Sequence, residues 1–109
     1  MEILELTPEN FIFIEGELYS IPLIKSPQSF LLVYADWCRY CIDFKPTYIN
    51  ASRNRMYPNV QFSQLNEKNK GIVRILQEEG IVKSYPTLLY IKDGNISNAI
   101  PLDRARYFP

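Results

Sequence analysis

Histidine is absent from this 109-residue chain, and cysteine occurs only twice. Two cysteines without a histidine cannot fill the four-ligand shell of a structural zinc within one chain, so only a dimer sharing its ligands would hold the metal. Two cysteines are also too few for the disulfide framework of a small secreted scaffold. An excess of one charge is missing as well: twelve basic residues balance twelve acidic ones. Nucleic-acid partners usually call for a basic excess, so the balance points away from one. No apolar run approaches the ~20 residues that span a bilayer, and no membrane partner is expected. The start, Met1-Glu2-Ile3-Leu4-Glu5, lacks the basic residues and apolar stretch of a secretory signal. Repeats, linkers and low-complexity tracts are lacking too. A single domain over residues 1–109, located in the cytoplasm, is the expectation.

Apolar residues make up 47% of the chain, enough for a packed core. Ile3–Leu6 reads as a short strand. Thr7-Pro8-Glu9-Asn10 carries the cap and first-turn proline of a helix start. Phe11–Ile14, the turn Glu15-Gly16-Glu17 and Leu18–Ile21 read alternatively as a hairpin. Phe30–Ala35 is a continuous apolar run with a β-branched centre, as in a strand buried on both faces. A helix is predicted from about Cys41 to Met56, with Ile42, Tyr48, Ile49 and Met56 roughly on one side, Phe44 and Ala51 nearby, and a kink at Pro46. Val60–Leu65 reads as a strand and Asn69–Glu79 as a helix stopped by Gly80. Thr87–Ile91, the turn Lys92–Asn95 and Ile96–Ile100 read as a hairpin, and Asp103–Phe108 as a last helical turn. Strand, helix, strand, helix and two hairpin strands make an α/β layer with a mixed sheet.

The two cysteines stand at Cys38 and Cys41, separated by Arg39 and Tyr40. Three readings are open: half of a shared metal site, an inert structural pair, or a redox couple. A disulfide closing so short a loop constrains the unfolded chain little, which weakens the structural reading. If the strand ends at Ala35, Cys38 lies where the helix begins. The unpaired N–H groups there carry roughly half a positive charge and stabilise a thiolate. Arg39 adds a fixed charge beside it. Cys41, one turn on, would reach the first sulfur while staying shielded. Cys38, as an accessible and readily ionised thiol, then attacks a substrate disulfide and the other thiol resolves the mixed intermediate.

Asp36-Trp37-Cys38, the proline five residues after Cys41, Tyr48, the loop Ser84-Tyr85-Pro86-Thr87-Leu88 and the turn Lys92-Asp93-Gly94 together resemble the thioredoxin family, and within it the domains of protein disulfide isomerases. The resemblance covers about Ile3–Ile100. It implies a thioredoxin fold: a mixed central sheet flanked by helices, here with a shortened C-terminal helix. It implies a thiol–disulfide oxidoreductase with Cys38 attacking and Cys41 resolving, no cofactor, and protein disulfides or dithiols plus a separate redox partner as reactants. It further implies a cis peptide at Pro86 facing the cysteines, with Tyr85 pairing its backbone with substrate. Trp37 and Tyr40 would shape the surface that meets substrate, although each has a second reading, as a core aromatic and as a loop cap. Arg39 and Arg104 would ease ionisation of the thiols; both are equally readable as solvated charges.

Three departures stand out. The dipeptide Arg39-Tyr40 matches neither the Gly-Pro of thioredoxins nor the Gly-His of isomerases. Leu32 occupies the place where the family buries an acid beneath the second cysteine, and Phe62 falls near that of its lysine partner. The tail after Ile100 is short, which predicts a less covered sheet face open to a partner or a weak dimer. Phe11–Lys25 is longer than the family's first helix and resembles the leading segment of some thioredoxin-like proteins of large DNA viruses. With that resemblance comes a second reading: a redox-inert binding module or a virion subunit.

Overall fold

The computed structural model describes residues 2–109. Its elements are β1 (Leu4–Glu5), β2 (Phe11–Ile14), β3 (Glu17–Ser20), β4 (Gln28–Tyr34), α1 (Arg39–Arg53), β5 (Gln61–Asn66), α2 (Lys70–Glu78), β6 (Thr87–Lys92), β7 (Ile100–Leu102) and α3 (Arg104–Tyr107). Five strands form one sheet in the order β1-β5-β4-β6-β7. β1, β5 and β4 run parallel, while β6 and β7 run antiparallel to their neighbours. The mixed sheet flanked by helices is the architecture expected above.

β4 is central because both its faces are apolar. Phe30, Leu32 and Tyr34 point into a cluster with Cys41, Phe44, Tyr48 and Phe62. Leu31 and Val33 point the other way, to Leu18, Leu23, Val73 and Leu76. The period-two alternation of a strand thus serves two cores. α1 covers the first face and α2 the second, together with the β2–β3 hairpin.

Four expectations are corrected. Thr7–Asn10 does not start a helix; it makes a single 3₁₀ turn over Pro8–Asn10, in which the Thr7 N–H donates to Asn10 Oδ1 at 2.8 Å. The chain then enters the β2–β3 hairpin, the alternative reading. α1 ends at Arg53, not Met56, because Arg55 turns into the left-handed region (φ 51°). Its inner face is Cys41, Phe44, Tyr48, Ala51 and Ser52, while Ile42 and Met56 are exposed. Ile96–Ile100 is not a strand. Ile96 and Ser97 both donate backbone N–H groups to the Leu18 carbonyl, at 2.8 and 3.3 Å. That stretch is therefore bound to β3, and pairing with β6 begins only at Ile100.

The short tail does not leave its sheet face bare. Phe108, after the four-residue α3, is buried, and its ring meets those of Phe30, Phe44, Tyr48, Tyr57 and Phe62 at centroid distances between 5.4 and 6.1 Å. This one ring fills the space between α1 and the sheet. What stays open is a cleft of about 340 Å³ beside it, walled by Phe30, Tyr57, Tyr90, Ile100 and Leu102.

Candidate active site

β4 ends at Tyr34, and the loop Ala35-Asp36-Trp37 carries the chain to the start of α1. Cys38 is the cap of that helix, in extended conformation (φ −85°, ψ 114°). Its Sγ accepts the Cys41 N–H at 3.1 Å. Its own N–H donates to the Ala35 carbonyl at 3.2 Å. The first sulfur thus takes the place a serine or aspartate oxygen takes at an ordinary helix start. This geometry corrects one expectation. Cys38 is 5% exposed, where an accessible thiol was expected. A capping side chain folds back over the first turn, and that fold carries the sulfur inward. Cys41 is 1% exposed, as a shielded partner should be. The sulfurs are not bonded to each other.

Burial pushes the Cys41 thiol well above the ordinary range, and its contact with Cys38 adds to that. Among the described residues no carboxylate lies in the cluster around it: Leu32 and Phe62, at the places of the acid and lysine of the resembled family, are buried apolar side chains there. The charge pulling the other way is Arg104, which acts to lower Cys41. Its guanidinium sits 5.4 Å from the Phe44 ring centroid. Arg104 also lines a shallow groove of about 350 Å³, with Tyr40, Thr47 and Phe108. Arg39 is engaged elsewhere: its Nε lies 3.5 Å from Asp43 Oδ1, on the exposed side of α1.

Opposite runs the loop Ser84–Thr87, whose Tyr85–Pro86 peptide is cis. Pro86 is buried and Tyr85 half-buried. The Tyr85 ring stands edge-on to Trp37, with centroids 5.8 Å apart and planes at 85°. The Tyr85 hydroxyl receives a long hydrogen bond from Gln77 Nε2 at 3.4 Å. Burial raises its pKa, and Glu67, Lys70 and Cys41 are close enough to act on it. Trp37 and Tyr40 are each 71% exposed. They are the most exposed large apolar residues described, and they flank Cys38 in sequence. A core role for Trp37 is thereby excluded.

A polar brace escaped the sequence reading. Asp36 accepts from Asn66 Nδ2 at 3.2 Å and pairs with Lys68 Nζ at 2.8 Å. The Lys68 hydrogen bond holds the Asp36 carboxyl below the usual carboxylate range. The Glu67 N–H donates to the Tyr34 carbonyl at 2.7 Å. The turn after β5 is therefore tied to the loop that carries Trp37. Asp36 and Asn66 are thirty residues apart, and nothing in their spacing points to the contact. On the inner side of the same loop the Tyr34 hydroxyl bonds Glu5, and Lys45 Nζ sits 3.8 Å from the Tyr34 ring centre. Burial raises the Tyr34 hydroxyl to about 12.

Among the described residues no three of His, Cys, Asp and Glu gather as metal ligands would. The arrangement offers two-electron sulfur chemistry instead: a sulfur at a helix start, a shielded second thiol one turn on, and an aromatic pair bordering both.

Comparison with known proteins agrees. The family model described as Thioredoxin matches residues 10–105. No curated protein sequence matches the chain significantly. Among solved structures, human ERp44 in a zinc-bound form superposes with a TM-score of 0.66 at 26% identity, over 94% of this chain and 28% of that one. The thioredoxin of Malassezia sympodialis gives 0.64 at 16% identity, over 96% and 84%. A J-Trx1 fragment of ERdj5 gives 0.64 at 17% identity, over 93% and 43%. This chain thus spans under a third of ERp44 but most of a single thioredoxin. With the family model covering nearly all of the fold built above, the chain belongs to the thioredoxin family.

Proposed function

We propose that the chain is a protein thiol–disulfide oxidoreductase working through Cys38 and Cys41. The observation that carries this is the cap geometry: Cys38 Sγ receives the N–H of the residue bearing the second thiol. In the reducing direction, the Cys38 thiolate attacks one sulfur of a substrate disulfide. A Cys38–substrate disulfide forms and the other substrate sulfur leaves as a thiolate, which takes a proton. Cys41 then gives up its proton and attacks Cys38 Sγ. The Cys38–Cys41 disulfide forms and the second substrate sulfur leaves. The substrate gains two electrons and two protons, and the protein's pair is oxidised by two electrons. A separate dithiol partner restores the pair; run in reverse, the same steps oxidise a substrate dithiol.

The remaining roles follow from position. Trp37 and Tyr40 offer exposed aromatic surface to a polypeptide on either side of Cys38. Tyr85 borders Trp37 and, with Pro86, supplies the backbone along which an extended substrate strand would lie. Arg104 is the cation that eases ionisation of Cys41 for the second step. Arg39, bound to Asp43, serves the helix surface more than the thiols.

One observation favours a second reading, a redox-inert module that holds a partner in the same groove: Cys38 is 5% exposed. Insulin reduction with excess dithiothreitol separates the two. Catalysed turnover that vanishes in Cys38→Ser is the expected result. A wild-type rate equal to that of dithiothreitol alone would leave the binding module standing.

A further inference from the structure

The β2–β3 hairpin takes no part in the sulfur chemistry, yet it carries three unusual features. The first is apolar exposure. Ile12, Phe13 and Ile14 are consecutive and 43–54% exposed. The second is an open edge. The Leu18 N–H donates to Ser97 Oγ and its carbonyl accepts from Ile96 and Ser97, while the Ser20 N–H donates to the Gly94 carbonyl. The backbone groups of Leu18 and Ser20 therefore face away from β2. By the alternation of an antiparallel ladder, β2 is bonded through Ile12 and Ile14, opposite Tyr19 and Glu17. Phe13, opposite Leu18, turns its N–H and C=O outward to the free side. Edge strands are usually blunted by lysine, proline, a bulge or a covering loop. Phe11-Ile12-Phe13-Ile14 has none of these within it.

The third feature is charge. Residues 1–24 hold Glu2, Glu5, Glu9, Glu15 and Glu17 and no lysine or arginine. All twelve basic residues of this balanced chain lie from Lys25 onward. Glu9 stands two residues before β2, Glu15 follows it directly, and Glu17 lies across from Ile14. The open edge is thus bracketed by carboxylates.

We propose that this edge accepts an added β-strand from a partner protein: an extended apolar segment flanked by lysine or arginine. Backbone pairing at Phe13 would provide the register, Ile12, Phe13 and Ile14 the buried surface, and the glutamates the choice of partner. The same charges argue against the alternatives. Two copies of this edge paired about a twofold axis would bring Glu15 against the neighbourhood of Glu9, like against like. An anionic membrane would be repelled.

The test uses the full chain and synthetic probes. One probe has alternating valine and threonine over six residues between two pairs of lysines. A second replaces the lysines with glutamates. A third keeps the lysines and places proline at two central positions. The lysine probe is expected to bind below about 1 mM, with the other two weaker by roughly tenfold or more. Amide exchange at Phe13 should slow when it binds. Phe13→Pro removes the outward N–H without touching the bonds to β3, and Ile14→Lys adds a repelling charge. Each should abolish binding, with a native circular-dichroism spectrum as the control for folding. Equal binding of the proline probe would reduce the effect to bare charge and overturn the proposal. So would the absence of binding, a concentration-dependent dimer that Ile14→Lys dissolves, or uptake by anionic vesicles in preference to the lysine probe. Insulin turnover is independent of each of these outcomes.

Discussion

Cys41 donates its backbone N–H to the sulfur of Cys38 at 3.1 Å, so the residue proposed to resolve the exchange also holds the sulfur proposed to begin it. Both sulfurs lie in the same apolar cluster, but Cys38 sits at the positive end of α1 and Cys41 a turn further in, where Leu32 holds the place of the family's acid. In the proposed exchange their tasks are opposite: one is ionised to begin it, the other stays protonated until the second step.

The division of labour is checked by trapping. Cys41→Ser is expected to stop turnover yet still form the first mixed disulfide, which accumulates as a covalent complex on a non-reducing gel. Cys38→Ser should form none and fall to the uncatalysed rate. A stable complex in Cys38→Ser but not in Cys41→Ser would reverse the assignment.

Acidity gives the second prediction. The raised Cys41 thiol should make the resolving step of the proposed exchange the slow one near neutral pH, and its rate should climb through the alkaline range as the thiolate fraction grows. Arg104→Gln removes a charge that lowers Cys41, so the climb should move to higher pH. Leu32→Asp would supply a buried proton acceptor and flatten the profile, at some loss of stability. Stability carries the same signature. The folded chain keeps a proton that the unfolded one releases once pH passes the ordinary value of 9.0. Stability is therefore full below that pH and falls as pH rises above it. Urea midpoints measured from pH 7 to 10 should decline more in the wild type than in Cys41→Ala. Identical slopes would remove the claim.

Much of this was legible in the chain, because strand alternation and the Cys38–Cys41 spacing are local signals. β4 was plain from Phe30–Ala35, and the segments that meet around the cysteines from Trp37–Cys41 and Tyr85-Pro86. What escaped depends on contacts between distant segments. Ile96–Ala99 has the composition of a strand, but its backbone is bound to Leu18. α1's inner face was misjudged because Ile42 is apolar yet projects to solvent, while Ser52 turns in and donates to the Ile49 carbonyl at 2.8 Å. The Asp36–Lys68 brace links two loops whose approach is set only by the parallel pairing of β4 with β5.

Phe108 supplies the third prediction. It is one residue from the chain's end in this sequence and touches five aromatic rings. Phe108→Ala should cost about 3–5 kcal/mol, the range for emptying a buried aromatic site. Phe108→Leu should cost roughly half of that, since it keeps much of the buried volume. Urea denaturation at pH 7 measures both. A loss under about 1 kcal/mol in Phe108→Ala would mean that the tail does not close the core.

Two glycines separate backbone strain from crowding. Gly80 and Gly94 have nearly the same left-handed backbone, φ +73° and +74°. A Cβ at Gly80 meets nothing within 4 Å, whereas at Gly94 it would lie 2.6 Å from the Ile24 backbone nitrogen. Gly80→Ala should thus cost only the left-handed penalty, about 1–2 kcal/mol. Gly94→Ala bears the same penalty and must also push Leu23–Ile24 off the turn. That movement strains the Ser20 N–H bond to the Gly94 carbonyl, 2.9 Å long, and loosens the base of the β2–β3 hairpin. Gly94→Ala should be the more destabilising of the two by at least about 1 kcal/mol, with faster amide exchange at Ser20. Equal losses in the two variants would show that the hairpin rests on the sheet without needing that close approach.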